Sequence, residues 1–503
     1  MSSNSPTDTA PLARRPLGRI LLVRAAFVCA VLFTLLVVFF FVEKTRGNAA
    51  WKRYQEEARA HGVKLTLAEY VPAPVPDARN FAAIPLFQDA FRQPPPPNPL
   101  ALPQVGGVTL PLFDSAFKDQ HIDLAAWQKF FIDTKVLPAA GENAATDVLK
   151  ALERYAPQFE QLRMAGARPE SSFPVRYEDG AMATLPHLQL FQSAARLYAL
   201  RLAAHLALGR SGEAYEDFRD GLRLYTGIAK EPTLISGLVR VSVLAVVENT
   251  VWGGLVRRQW QPAELEKITA DLAGVRLMDD YTLGLSSERG FSNMMHELFL
   301  RKGLHELEGL IQIVDSNGTP RSALNARALG AAFMSYPTGW IRFSQVRSNR
   351  YIDETLARAS QEPPRIFPER PVPSMPAKMA DVGIYERLRY FLFFTLAPAL
   401  QEVERTYAYA QTLLDQTRLG CALERHRLAH GDFPASLEAL APGFLPALPR
   451  DVMNGEPLHY RLAPDGGYAL YSVAWNLQDD GGKMDATTSA KKQPDWVWRC
   501  PAQ

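Results

Sequence analysis

Cysteine is scarce in this chain: Cys29, Cys421 and Cys500 are the only three in 503 residues. That excludes a disulfide-stapled scaffold and any multi-cysteine metal cluster. An excess of one charge is also missing, since 55 Lys and Arg stand against 53 Asp and Glu, a formal net charge of +2. Such an even balance supplies no basic face for a phosphate backbone, and nucleic acid is not an expected partner. Familiar catalytic signatures are absent as well. There is no phosphate loop ending in Gly-Lys-Ser/Thr and no G-x-S-x-G elbow, because Gly284-Leu285-Ser286-Ser287-Glu288 lacks the second glycine. His296-Glu297 and His305-Glu306 begin like zinc-protease helices, but neither has a histidine four residues after the first. The remaining composition, 47% hydrophobic and 21% charged, is that of ordinary folded protein.

What the chain does possess is one long apolar run. From Ala25 to Val42 only Thr34 is not apolar, and at the helical rise these residues span about 27 Å, close to the hydrocarbon thickness of a bilayer. A cleavable signal peptide has a shorter apolar region, about 7–15 residues, followed by small residues. Here Glu43-Lys44-Thr45-Arg46 comes next. The run predicts an uncleaved signal anchor, with the lipid bilayer as its partner through residues 25–42. Arg14, Arg15, Arg19 and Arg24 precede it while Lys44, Arg46, Lys52, Arg53 and Arg59 come after, so counting basic residues does not set the orientation. Size does, because a long domain translocates largely regardless of charge. The expectation is a cytoplasmic tail over residues 1–24 and an extracytoplasmic bulk on a single-pass inner-membrane protein. Two further apolar stretches read differently. Leu234 to Val256 carries Arg240 and Glu248 in its middle and predicts a buried core helix. Tyr390 to Leu400 is about half a membrane span and contains Pro398, which suits core or an interfacial contact.

Residues 43–115 begin with a short amphipathic pattern, Trp51 to Ala60, closed by His61-Gly62. They continue through Pro72, Pro74, Pro76, Pro85, Pro94 to Pro97, Pro99 and Pro103. Proline fixes the backbone and removes amide donors, so a stiff, extended spacer is expected. Residues 116–400 read as an α-helical domain, because from about Phe117 to Val275 apolar residues recur at helical spacing, as in Leu188, Phe191, Ala195, Tyr198 and Leu202, then Ala214, Phe218, Leu222 and Tyr225. These predict a bundle of antiparallel helix pairs. A single stretch from Gly209 to Gly221 resembles one tetratricopeptide unit, but a solenoid needs about three. A second proline-rich stretch, Pro363 to Pro376, marks a boundary. Over 401–503 a long helix carrying Val403, Tyr407, Leu414 and Leu423 stops at Gly431-Asp432. Strands at Leu458–Leu462 and Tyr468–Val473 flank the turn Pro464-Asp465-Gly466-Gly467, and Trp496–Arg499 can add a third. The fold class expected is therefore mainly α: a transmembrane helix, an α-helical bundle and a small C-terminal α+β domain.

That last unit resembles the globular domain of the major pseudopilin of type II secretion. The likeness rests on Ala422–Leu428, His430–Pro434, Leu445–Asp451, Gly455–Tyr460 and Tyr468–Val473, and covers about a fifth of the chain. It implies a calcium loop corresponding to residues 476–485, with Asn476, Asp479, Asp480 and Asp485 as oxygen donors for a hard cation. Asn476 stands where the family has aspartate and Leu477 where it has glycine, so a metal-free acidic turn is the competing reading. A pseudopilin also keeps its membrane helix continuous with the globular domain, whereas here hundreds of residues intervene. The remainder is similar to uncharacterised membrane-anchored bacterial proteins, which implies no activity.

No catalytic residue emerges from these patterns. His426 and His430 lie one turn apart, but Arg427 stands where a base would and His430 sits at a helix end that favours a cation. Cys421 and Cys500 could pair in an oxidising space, or Cys421 could be a core residue. The function expected is that of an envelope protein that binds or scaffolds other envelope proteins. Its rival, a periplasmic hydrolase, requires a pocket gathering Glu288, His296, Glu297 and Arg301.

Overall fold

A single helix, α1 (Leu17–Ala60), carries the apolar run and continues past it without a break. No proline interrupts it, and its two halves meet different surroundings. The apolar half is bare, with Leu22, Phe27 and Phe33 all about 70% exposed, which is compatible with a membrane anchor. From Glu43 onward the same helix belongs to the body. The computed structural model describes residues 17–113, 121–303, 336–376, 381–485 and 488–502.

Over its described part, residues 43–113, the segment expected as a spacer is thus part of the body. Residues 43–60 extend α1, and the proline-rich chain beyond them is a wall of the core: Phe81, Ile84, Phe87 and Leu100 are all buried. Phe87, on the short helix α2 (Pro85–Ala90), stacks on Phe191 with ring centroids 4.8 Å apart. Proline restricts the backbone, but the apolar side chains between the prolines decide whether a segment is buried, and here they are numerous enough to dock it.

The body is a helical assembly. α3 (Leu124–Asp133) is capped by Asp123, α4 (Ala144–Leu152) by Asn143, and α5 (Ala156–Ala165) comes next. α6 (Pro186–Ala207) and α7 (Ser211–Gly227) form the hairpin anticipated from the periodicity, with Gly209 at φ 71° in the turn. α8 (Leu234–Val256), begun by a Thr233 cap, packs across both, then α9 (Pro262–Leu272), α10 (Leu277–Lys302) and α11 (Thr338–Leu356) complete this part. α8 is a core helix, as its charges imply. Arg240 lies over the Tyr225 ring, donates to the Tyr225 carbonyl (2.9 Å) and pairs with Asp280, so its charge is compensated inside the protein.

Strands β1 (Ala359–Gln361) and β2 (Pro364–Ile366) form a small hairpin, after which come the short helix α12 (Ile384–Arg389) and the 40-residue helix α13 (Phe391–His430). Strands β3 (His459–Leu462), β4 (Tyr468–Ser472) and β5 (Trp496–Cys500) make an antiparallel sheet with β4 central, Leu470 lying opposite Tyr460 and Trp498. Gln416 pins α13 to this sheet by donating to the carbonyls of Leu470 (3.1 Å) and Trp496 (2.8 Å). The boundary placed at residue 401 is not one: α13 runs through it, and Trp252 of α8 stacks on Trp498 at 4.2 Å, so bundle and sheet share one core.

α1 is seated on α11 where Gly47 meets Gly339. A Cβ added at Gly339 would overlap the Glu43 carbonyl oxygen. Around this crossing, Trp340 donates its indole N–H to Glu43 (2.8 Å), Tyr54 donates to Asp353 (2.9 Å), and Arg289 bridges Tyr54 and Asp353 at 2.7 Å each. Gly339→Val should therefore push the helices apart and lower the stability of the detergent-solubilised chain by about 1–3 kcal/mol in thermal unfolding. Gly212→Ala, where nothing lies within 4 Å, should leave the transition in place.

Candidate functional site

A concavity of about 430 Å³ lies between the proline-rich wall and the loop leading to α6. The backbone chemistry of the wall creates it. Its prolines at 72, 74 and 76 offer no amide to a neighbouring segment, whereas residues 79–81 bind the loop closely. Phe81 donates its amide to the Glu170 carbonyl (2.7 Å), Glu170 donates to Arg79 (3.1 Å), and the Asn80 side chain donates to the Ser172 carbonyl (3.0 Å) while accepting its amide (2.9 Å). Pro72, Pro74 and Phe173 give apolar walls, and Glu231 provides the polar floor.

Glu231 accepts a hydrogen bond from Tyr177 (3.3 Å) and lies 3.1 Å from His187 Nε2. Burial pushes the Tyr177 hydroxyl well up, so it stays protonated and donates. His187 is fully buried, with Phe173 stacked on its ring at 4.1 Å and Phe91 at 5.4 Å. It can orient Glu231 but cannot reach a ligand. The nearby Ser171 hydroxyl is committed to the Gly227 carbonyl (2.6 Å). The cleft therefore offers apolar contact and a positioned carboxylate, in the size range of small-ligand sites, without an activated nucleophile.

A second cleft, about 350 Å³, lies between the bundle and the C-terminal loops and is lined by Arg276, Arg418, Arg450, Gln411 and Asp415. Asp415 accepts from Gln411 (2.9 Å) and Arg418 (3.4 Å), and burial pushes its carboxyl up to about 6. Glu248 of α8 is completely buried, and neither of its oxygens has a partner among the described residues. Burial, with Asp415 nearby, raises its carboxyl well above the usual range.

The four residues a hydrolytic centre would need do not gather. All lie on α10, but His296 is fully buried, donates Nδ1–H to the Ser292 carbonyl (2.7 Å), and is pushed by burial down to about 4. Glu297 pairs with Arg342 of α11, Arg301 donates to the Glu297 carbonyl (3.4 Å), and burial lifts half-buried Glu288 to about 7. The acidic loop also disperses its donors. Asn476 donates to Asp480 (2.8 Å), Asp479 accepts from the Gly481 amide (2.8 Å) beside His459 (3.6 Å), and Asp485 accepts from Thr488 (2.8 Å). Asp495, which no local spacing signals, closes the loop from beneath by accepting the amides of Gly482 (2.8 Å) and Asp480 (3.4 Å). Among the described residues no group of three or more His, Cys, Asp or Glu is placed to hold a metal.

The His426 and His430 rings pack at a tilt of 47° with centroids 4.5 Å apart, His426 donating to the Asp432 carbonyl (3.0 Å) as part of the helix end. Arg427 is held by Glu424 at 2.7 Å. Cys421 and Cys500 are buried free thiols, not a disulfide, and burial pushes Cys421 up to about 12. Glu231 and Tyr177 are invisible in the sequence because 54 positions separate them and no spacing links them.

The buried acids fix a pH dependence. Glu248, Asp415, Asp217 and Glu404 all have raised folded-state pKa values, the last two about 7. Unfolded carboxyls lose their protons near pH ~4 while these folded ones keep them, so at these sites the folded state binds more protons and their contribution to stability falls as pH rises from about 4 through 7, opposed in part by buried His296, whose lowered pKa acts the other way. Urea unfolding of the solubilised chain should show that decline, and Glu248→Gln should reduce its slope. No family model, no curated protein and no solved structure matches the chain.

Proposed function

We propose that this is a single-pass protein of the bacterial cytoplasmic membrane whose body stands outside the cytoplasm and binds or scaffolds other envelope proteins. One observation carries the reading: a bare apolar half-helix of membrane length is continuous with a helix locked into a large polar body. The orientation rests on the large size of the body after the helix, since a long domain translocates largely regardless of its charge.

Binding is favoured over catalysis by the state of the polar groups in the larger cleft. They are engaged with one another, His187 with Glu231 and Ser171 with the backbone, and leave a shaped carboxylate with apolar walls. The order helix, then antiparallel sheet over residues 401–503 supports the likeness to a pseudopilin globular domain, and with it a place beside a secretion apparatus. In this reading the module is a docking element and not a pilus subunit, because its long helix is fused to the bundle and not to the apolar run.

Fractionation tests both halves of the proposal. The full chain should stay in the membrane pellet after alkaline carbonate washing, and protease added to intact spheroplasts should degrade the body. Release into the wash would contradict the anchor, and a body resistant until lysis would reverse the orientation.

A further inference from the structure

The helix α12 has no buried residue, and Ile384, Tyr385 and Leu388 are 73%, 48% and 49% exposed. At positions i, i+1 and i+4 these three share one helical face. Its location gives that face a meaning. The Trp340 ring lies 6.0 Å from Phe39 of α1 on one side and 5.7 Å from Tyr385 of α12 on the other. Phe39 is three residues before the end of the apolar run, about 4.5 Å along the helix axis. At the opposite end of α12, Arg389 reaches the Glu43 carboxylate (3.7 Å) and stacks over Phe343. Tyr336 donates to the Leu388 carbonyl (2.9 Å), holding the helix in place.

α12 is thus fastened at the level where α1 passes from apolar to polar sequence. Because α1 enters the body unbroken and is locked there, the body cannot swing to carry α12 away from that level. Trp340, Tyr385 and Tyr336 are residue types enriched at the boundary of lipid and water, and the exposed Lys44 and Arg46 of α1 suit anionic headgroups.

We propose that α12 is an interfacial helix whose Ile384, Tyr385 and Leu388 enter the headgroup–acyl boundary of the same bilayer that α1 spans, so that the body rests on the membrane along a second contact. The occupant of this apolar face is lipid, argued from its continuity through Trp340 with the spanning helix. The inference rests on α1 being a membrane anchor, and its test separates the two.

The full-length chain, with Cys29→Ser and its two buried cysteines retained, is reconstituted in nanodiscs of phosphatidylethanolamine and phosphatidylglycerol. Spin labels are placed singly at Leu388→Cys, at Leu36→Cys within the apolar run and at Met164→Cys, an exposed site on α5. Relaxation by dissolved oxygen is compared with relaxation by a water-soluble nickel chelate. The expected result is oxygen access with loss of chelate access at 388 and at 36, and full chelate access at 164. Chelate access at 388 equal to that at 164, with 36 shielded, overturns the interfacial contact and leaves the anchor standing. A label at 388 shielded from both reagents shows protein in place of lipid on this face and also overturns it. Chelate access at 36 removes the anchor, and the inference with it.

Discussion

Glu43 is the first charged residue after the apolar run, and it is almost completely buried. Its carboxylate is met by the Trp340 indole at 2.8 Å, by Arg46 at 3.0 Å and by Arg389 at 3.7 Å, all at the point where α1 crosses α11 with glycine against glycine. Burial strips water from the carboxylate, so its position is tolerated only while these partners stay in place; breaking such a buried set costs about 3–5 kcal/mol. The steric fit and the charge requirement therefore point the same way. Together they convert a tether into a mount, and the placing of every other surface relative to the apolar helix depends on it.

A second layer of the same device lies deeper. Tyr54 and Arg289 join α1 to α10, and both reach Asp353 of α11, tying three helices at one point. Burial pushes the Tyr54 hydroxyl up, so the bridge keeps its proton throughout the physiological range. Elsewhere the body buries polar groups less economically: Glu248 lacks partners among the described residues, and Asp415 sits close enough to raise it further. A stretch that is apolar enough to cross a membrane is kept in the core at α8, and its acid is kept neutral by the same burial.

Legibility tracks the range of the signal. The apolar run, the helical period of α6 and α7, the turn at Gly209 and the hairpin around Gly466 are encoded within a few residues of each other, and each is readable from the sequence. Arg240 and Glu248 correctly mark α8 as a core helix and not a span. Contact across distance is another matter. Proline density conceals that Phe81, Phe87 and Leu100 belong to the core, and the proline-rich stretch before α12 suggests a boundary that Trp252 and Trp498 close by stacking. The acidic loop looks like a ligand set because its carboxylates are near in sequence, yet each is turned to a different donor, and the residue that organises it, Asp495, comes from beyond the loop. Likewise the floor of the larger cleft joins Tyr177, His187 and Glu231 from three separate segments.

The mount can be tested by the width of one distance distribution. Spin labels at Leu36→Cys in the apolar half of α1 and at Ile235→Cys at the exposed start of α8, in the full chain in nanodiscs, report how the body moves relative to the spanning helix. A rigid junction predicts a single narrow distance. A broad distribution, as a flexible linker after Val42 would give, contradicts it.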